Sequence, residues 1–403
     1  MNVFLDANVL YEAGSKAMKS SIWKHETQAF EMNHLLETAH IQKQMQEGYN
    51  PTAGRKFVIS ERGKTRLVTN ATISDKTAVH VLCDEVVNPS IKKYLQYDNS
   101  ASQKGKGVDF HRRRFENHLH QFYITEGTND GYILFADFSG YYANIPHKPC
   151  ADVLNSFIEK EVHDEETVRI AGWLIAQIFK TFELDVSRLS DDEIVELYHS
   201  KVDPMMNLGV PKELLTGEKM LSKGIDLGNQ LSQDAGIAYP YRVDNFIKIV
   251  KAIKQFGRYS DDLYAMHRSK EYLMEVLDGI RAISNSFGLI LNERKTRICK
   301  MSDTYRHLQV LYSLTDTGRV IRKIKPKAVT RERQRLKAHK RQLDAGKMTY
   351  ADVENCFKSW IGGHWKYMSR QQIKNMSRLY YDLFGRSISW KRKHGRLRWL
   401  MAL

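Results

Sequence analysis

Two apolar runs, each interrupted by carboxylates, constrain this chain more than any other feature. Tyr132–Phe135 reads as a buried strand with Asp137 at its exit, and a second strand signal over residues 256–266 carries Ser260-Asp261-Asp262 at its middle. Side chains alternate across a strand, so adjacent aspartates place both carboxylates at one spot only where the chain turns tightly. Carboxylates brought together in that way suit a pair of divalent cations about 4 Å apart, which activate a hydroxyl and steady a leaving phosphate. Asp137, Asp261 and Asp262 are therefore the candidate catalytic and metal-ligating residues.

The charge balance points to the partner. Sixty-two Lys and Arg against 47 Asp and Glu leave +15 on 403 residues, an excess that suits a polyanion and above all nucleic acid. Residues 319–403 alone hold 23 Lys and Arg against five Asp and Glu, which marks a separate basic region. There Trp360, Trp365, Tyr367, Tyr380, Tyr381, Trp390 and Trp399 interleave with the cations, as in a surface that grips a nucleic-acid backbone, although part of this set has to form the region's own core. Within it Lys391, Arg392 and Lys393 are candidate phosphate contacts.

A hydrophobic fraction of 42% and a charged fraction of 27% fit a globular chain of several domains. Cys83, Cys150, Cys299 and Cys356 lie far apart without metal-binding spacing, so reduced thiols are expected. No apolar run reaches the length of a membrane span, and the start of the chain carries Asp6 and Glu12 without a preceding basic region. The expectation is a cytoplasmic protein with no membrane partner.

Residues 15–47 read as helix, and residues 55–70 as two strands around a Glu61-Arg62-Gly63-Lys64 tip. In KGKGVDFHRRRF the glycines allow close backbone approach, and Arg112, Arg113 and Arg114 offer phosphate contacts; the alternative is a solvated basic segment. Residues 151–222 look mostly helical, and the acidic patch at 191–196 reads as a helix start rather than a metal site. The opening MNVFLDANVLY is similar to the first strand of a PIN-type nuclease with Asp6 as a ligand, but the space before residue 55 is too short for such a domain.

The order of these motifs resembles that of reverse transcriptases. ILFADFSGYYANIPH resembles the first catalytic motif, with Asp137 in the metal position and Tyr142 where the family keeps an aromatic gate against a ribose 2′-hydroxyl. GIDLGNQLSQ resembles the motif lining template and incoming nucleotide, with Gly228 and Ser232 matching, while Leu227 and Gln233 replace the commoner Gln and Pro. RYSDDLYAMH resembles the Tyr-x-Asp-Asp box through Tyr259, Asp261 and Asp262. GLILNERKT is similar to the following palm motif, with Lys295 in the position associated with protonating pyrophosphate. Arg66 matches a fingers arginine that contacts the triphosphate, Ser60 stands where many relatives have lysine, and Leu308-Gln309-Val310 departs from a Leu-Gly-aromatic primer grip. LGNQLSQ, YDNSASQKGKG and SWIGGHW are most similar to bacterial and phage enzymes related to diversity-generating retroelements and group II introns, with antiphage-defence enzymes in the neighbourhood.

The resemblance implies an α+β right-hand polymerase. Residues 1–50 would be a helical N-terminal extension, 51–132 fingers, 133–318 a palm with an antiparallel sheet and a helical insertion at 151–222, and 319–403 a basic helical thumb. It implies extension of a primer 3′-hydroxyl with dNTPs on an RNA template by two Mg²⁺ ions, with Mn²⁺ as a substitute. Gly228, Ser232, Gln233, Tyr259, Tyr142 and Arg66 would bind nucleotide. The implied partners are a structured non-coding template RNA and the primer or cDNA product, with an accessory protein left open. Competing readings are a catalytically weak RNA-binding scaffold and an RNA-directed RNA polymerase; an intact aspartate triad disfavours the first and the Tyr142 ring the second.

Overall fold

A computed structural model describes residues 2–61, 64–194 and 220–388; in the strands near residue 60, the side chains at 56, 58, 61 and 64–67 lie outside that description. The chain forms two compact units, one of residues 1–115 and 132–298, the other of residues 116–131 and 299 onward.

In the first unit, helices Ala7–Met18, His25–Met32 and His34–Glu47 bury Leu10, Ala13, Ala17, Phe30, Ile41 and Met45 in the unit's main core. Asp6 is the N-cap of the first of these, accepting from the backbone of Asn8 at 2.8 Å, a role that explains the carboxylate without a nuclease. Strands β1 (Arg55–Glu61) and β2 (Lys64–Asn70) form the expected antiparallel hairpin, in register from Arg55 opposite Asn70 to Glu61 opposite Lys64. Helix Ile73–Val81 follows, capped by Thr72, and widens over Leu82–Val87.

Strand β3 (Tyr132–Asp137) is buried from Ile133 onward, which is why its sequence shows no polar alternation. After helices His147–Glu161 and Glu165–Phe182, the short strands β4 (Leu184–Asp185) and β5 (Met220–Leu221) pair antiparallel. Over its described residues 191–194 the acidic patch is a helix start, the rest of it lying outside the described residues: Ser190 Oγ accepts from the Glu193 backbone at 3.3 Å, and the Glu193 carboxylate accepts from the Ser190 backbone at 2.8 Å. Strands β6 (Phe256–Tyr259) and β7 (Asp262–His267) form a hairpin, and β7 pairs antiparallel with β3. The four-stranded sheet runs β6-β7-β3-β8, β8 (Arg297–Lys300) carrying the chain from the first unit into the second. Helix Lys270–Ser286 lays Leu273, Val276, Leu277 and Ile280 into the same core.

The second unit has a three-stranded antiparallel sheet of β9 (Tyr305–His307), β10 (Val310–Leu314) and β11 (Val320–Ile324), with β10 central. Helices Pro326–Asp344, Tyr350–His364 and Arg370–Phe384 complete it; the last two begin with capping boxes at Thr349–Asp352 and Ser369–Gln372. Leu336, Val353, Phe357, Ile361, Ile373, Met376 and Tyr380 are buried, with the Phe357 and Tyr380 rings stacked at 5.1 Å. Of the interleaved aromatics, Tyr367 and Tyr380 are thus core residues and Tyr381 is exposed, while Trp390 and Trp399 lie outside the described residues. All four cysteines are free thiols. Among the described residues no helix is long and apolar enough to cross a membrane.

Candidate active site

The second strand signal resolves into two strands, because the chain reverses at Ser260-Asp261. Tyr259 pairs with Asp262 across this two-residue connection, and Ser260 takes a left-handed φ of 56°. Asp137 on β3 stands opposite Asp262 on β7, and the backbone N–H of Phe138 donates to the Asp261 carbonyl at 3.3 Å. The turn and the strand exit therefore set Asp137 beside Asp262, with Asp261 in the connection next to them.

Lys295 arrives from the segment after helix Lys270–Ser286. Ser139 N–H donates to the Ile290 carbonyl and Asn292 N–H to the Asp137 carbonyl, both at 2.7 Å, and Lys295 then turns back onto Asn292. Its ammonium donates to both Asp137 oxygens at 2.8 Å. Burial works against the Lys295 charge, but the hydrogen bonds to Asp137 and the nearby carboxylates outweigh it and raise its pKa. Asp262 is pushed up to about 7, first by burial and then by the charges of Asp261 and Asp137. Among the described residues no three His, Cys, Asp or Glu side chains stand as a preformed metal cage.

Tyr142 reaches the turn, its hydroxyl 3.4 Å from Ser260 Oγ; burial above all raises its pKa. Its ring lies so close to Gly236 that a Cβ there would approach to 2.9 Å, so glycine is required opposite it. Tyr141 is buried instead and donates to the Gly236 carbonyl, so of the two tyrosines Tyr142 is the one at the turn. Tyr259 is half-buried with its ring edge-on to His111 at 5.6 Å.

The second motif forms a neighbouring wall. Ile225 N–H donates to the Tyr142 carbonyl at 2.9 Å, and Leu227 bridges to Val68 of β2. Gly228 lies beside Val68 and Thr69 with φ +106°, a conformation that favours glycine. Asn229 caps helix Gln230–Ala238; within it Ser232 is buried with its hydroxyl unbonded, and Gln233 is exposed. Gly228, Gln230 and Gln233 line a cavity of about 440 Å³ together with Lys16, Lys19 and Lys76. The Arg66 backbone sits on β2 opposite Ile59, and its side chain lies outside the described residues, as do Lys391, Arg392 and Lys393. On helix Val108–Glu126, Arg114 is bound to Asp98 at 2.5 and 3.2 Å, Arg112 stands 3.7 Å from Asp109, and Arg113 is exposed.

Sequence reasoning missed the support under the turn. Arg258 is fully buried; it donates to both Asp244 oxygens at 2.7 and 2.8 Å, to the Ser260 carbonyl at 2.9 Å and to the Ile237 carbonyl at 2.7 Å. One guanidinium thereby ties the aspartate turn to the end of the second-motif helix. The available signal is an arginine inside an otherwise apolar strand, which has to find an acidic partner when buried.

No family model matches the sequence, and no curated protein does. Among solved structures, telomerase from Candida albicans, determined with a TWJ fragment of telomeric RNA, is similar with a TM-score of 0.46 at 10% identity, covering 89% of this chain and 65% of that one. The chain thus spans just under two thirds of that protein's length.

Proposed function

We propose that the site is that of an RNA-directed DNA polymerase, which adds dNTPs to a primer 3′-hydroxyl on an RNA template. The observation that carries this reading is the pairing of Asp137 with Asp262 across adjacent antiparallel strands, with Asp261 in the connecting turn. The donor set fits divalent cations: the carboxylates are hard oxygen ligands, and burial, then the charges of Asp261 and Asp137, push Asp262 up where a cation would relieve it. Asp137, Asp261 and Asp262 would hold two Mg²⁺, or Mn²⁺ in their place, once Lys295 releases an Asp137 oxygen. Cations bound there would lower the pKa of the primer hydroxyl and offset charge on the departing pyrophosphate.

The remaining roles belong to the chain itself. Lys295, kept protonated by the carboxylates around it, holds a proton within reach of the leaving group. The Tyr142 ring, backed by Gly236, fills space that a 2′-hydroxyl would need, which favours dNTPs over ribonucleotides. Gly228, Ser232, Gln233 and Tyr259 shape the nucleotide and template side, with Arg66 on the hairpin as triphosphate contact. Exposed Arg113 is available to phosphates, and Lys391, Arg392 and Lys393 would add phosphate contacts by their charge. The template would be a structured non-coding RNA of a bacterial or phage retroelement or defence system.

Primer extension on an annealed RNA template tests this. The purified protein should incorporate dNTPs with Mg²⁺ and stop when EDTA is added. No incorporation under any divalent cation would contradict the reading.

A further inference from the structure

We propose that the second unit carries a groove for a single-stranded nucleic acid along the free edge of β11, built from residues that take no part in the polymerase chemistry. Among the described residues β11 pairs on its β10 side alone, Val320 opposite Leu314 through Ile324 opposite Val310. Its other edge leaves backbone donors and acceptors unpaired by any strand among the described residues, and residues 319–324 line a cavity of about 910 Å³ together with Lys366, Met368 and Gln372. That volume lies at the upper end of the range of about 300–1,000 Å³ for ligand pockets.

Charge selects the occupant. Arg319, Lys323 and Lys366 are exposed and have no carboxylate partner among the described residues, whereas Arg322 is bound to Glu116 at 2.8 Å. Positive charge prevails next door as well: Arg306, with smaller effects from Lys327 and Arg331, holds the Lys325 pKa below its usual value. Lysine and arginine along a strand edge discourage addition of a peptide strand and welcome phosphates. Leu311, Ile321 and Met368 give the cavity an apolar side that suits unstacked bases, which a duplex does not offer. Edge amides, apolar floor and three unpaired cations together fit a phosphodiester strand with its bases turned inward.

The test is binding of short mixed-sequence RNA and DNA oligonucleotides, single-stranded and duplex, to the full chain in EDTA without nucleotides. The comparison is between the native protein and the triple variant Arg319→Gln/Lys323→Gln/Lys366→Gln. The triple variant should bind single strands about tenfold or more weakly, with a salt dependence of log K shallower by about two, at roughly 0.7 for each phosphate no longer neutralised. Preference for RNA or DNA identifies the natural strand. An unaltered affinity and slope for single strands in the triple variant, or a loss as large for duplex as for single strands, overturns the groove. Should the triple variant fold poorly, 4-thiouridine RNA cross-linked to the native protein decides: adducts within residues 319–324 or 366–372 support the groove, and adducts confined elsewhere overturn it. Because no extension is measured, this result stands or falls separately from the polymerase reading.

Discussion

At the scale of single residues, the aspartate turn depends on a buried guanidinium and on a carboxylate that resists ionisation. Arg258→Met would leave Asp244 buried without its partner and release the Ser260 carbonyl, so stability should fall by about 3 to 5 kcal/mol. Urea unfolding of the variant measures that loss, and a change under about 1 kcal/mol would mean that the network is not structural. Burial and the neighbouring carboxylates push Asp262 up to about 7 from the 3.8 of an ordinary aspartate, so the folded protein binds the extra proton in between. Stability in EDTA should accordingly fall as the pH rises from 3.8 to about 7. Asp234, pushed up to about 7 chiefly by burial, adds to the same slope, so the diagnostic is a shallower slope in Asp262→Asn. Mg²⁺ should flatten the native slope and leave that of the variant alone. Tyr142→Val should raise ribonucleotide use relative to dNTP use about tenfold, or ~1.4 kcal/mol, in single-nucleotide incorporation. An unchanged ratio would remove Tyr142 as the gate.

At the scale of elements, two tight hairpin connections hold residues in conformations that glycine usually supplies. Ser260 has φ 56°, and in the second unit Leu308 and Gln309 have φ 38° and 72° between β9 and β10. Gln309 thus takes the left-handed conformation that glycine adopts most readily. Leu308→Asn with Gln309→Gly should stabilise the chain by about 1 to 2 kcal/mol, read from the denaturation midpoint; destabilisation would show that the Leu308 side chain matters more than the strain. These turns also explain what the sequence leaves hidden. The hairpin at 55–70 is legible because a Gly-containing charged tip separates two apolar runs, whereas Ser260-Asp261 carries no glycine or asparagine and so reads as mid-strand. The pairing of Asp137 with Asp262 is readable only through the order of the motifs, since register is fixed by tertiary packing. Arg258 escapes notice because local pattern does not reveal which strand positions face Asp244.

Across the whole molecule, charge and chemistry are segregated. Residues 319–403 carry a net +18, which leaves the remainder slightly acidic, and the three aspartates all lie in the first unit. The second unit starts at Cys299 and takes in residues 116–131, a division that a continuous helix over Val108–Glu126 conceals from sequence. The helices before residue 50 are legible as helices, but that they pack into the main core is not. The most direct measurement is Mg²⁺-dependent dNTP incorporation on a primed RNA template by Asp261→Asn and Asp137→Asn beside the native protein, with RNA affinity measured in parallel. Both variants should bind RNA like the native protein and incorporate nothing detectable; sustained Mg²⁺-dependent incorporation by either would contradict a polymerase site at these aspartates.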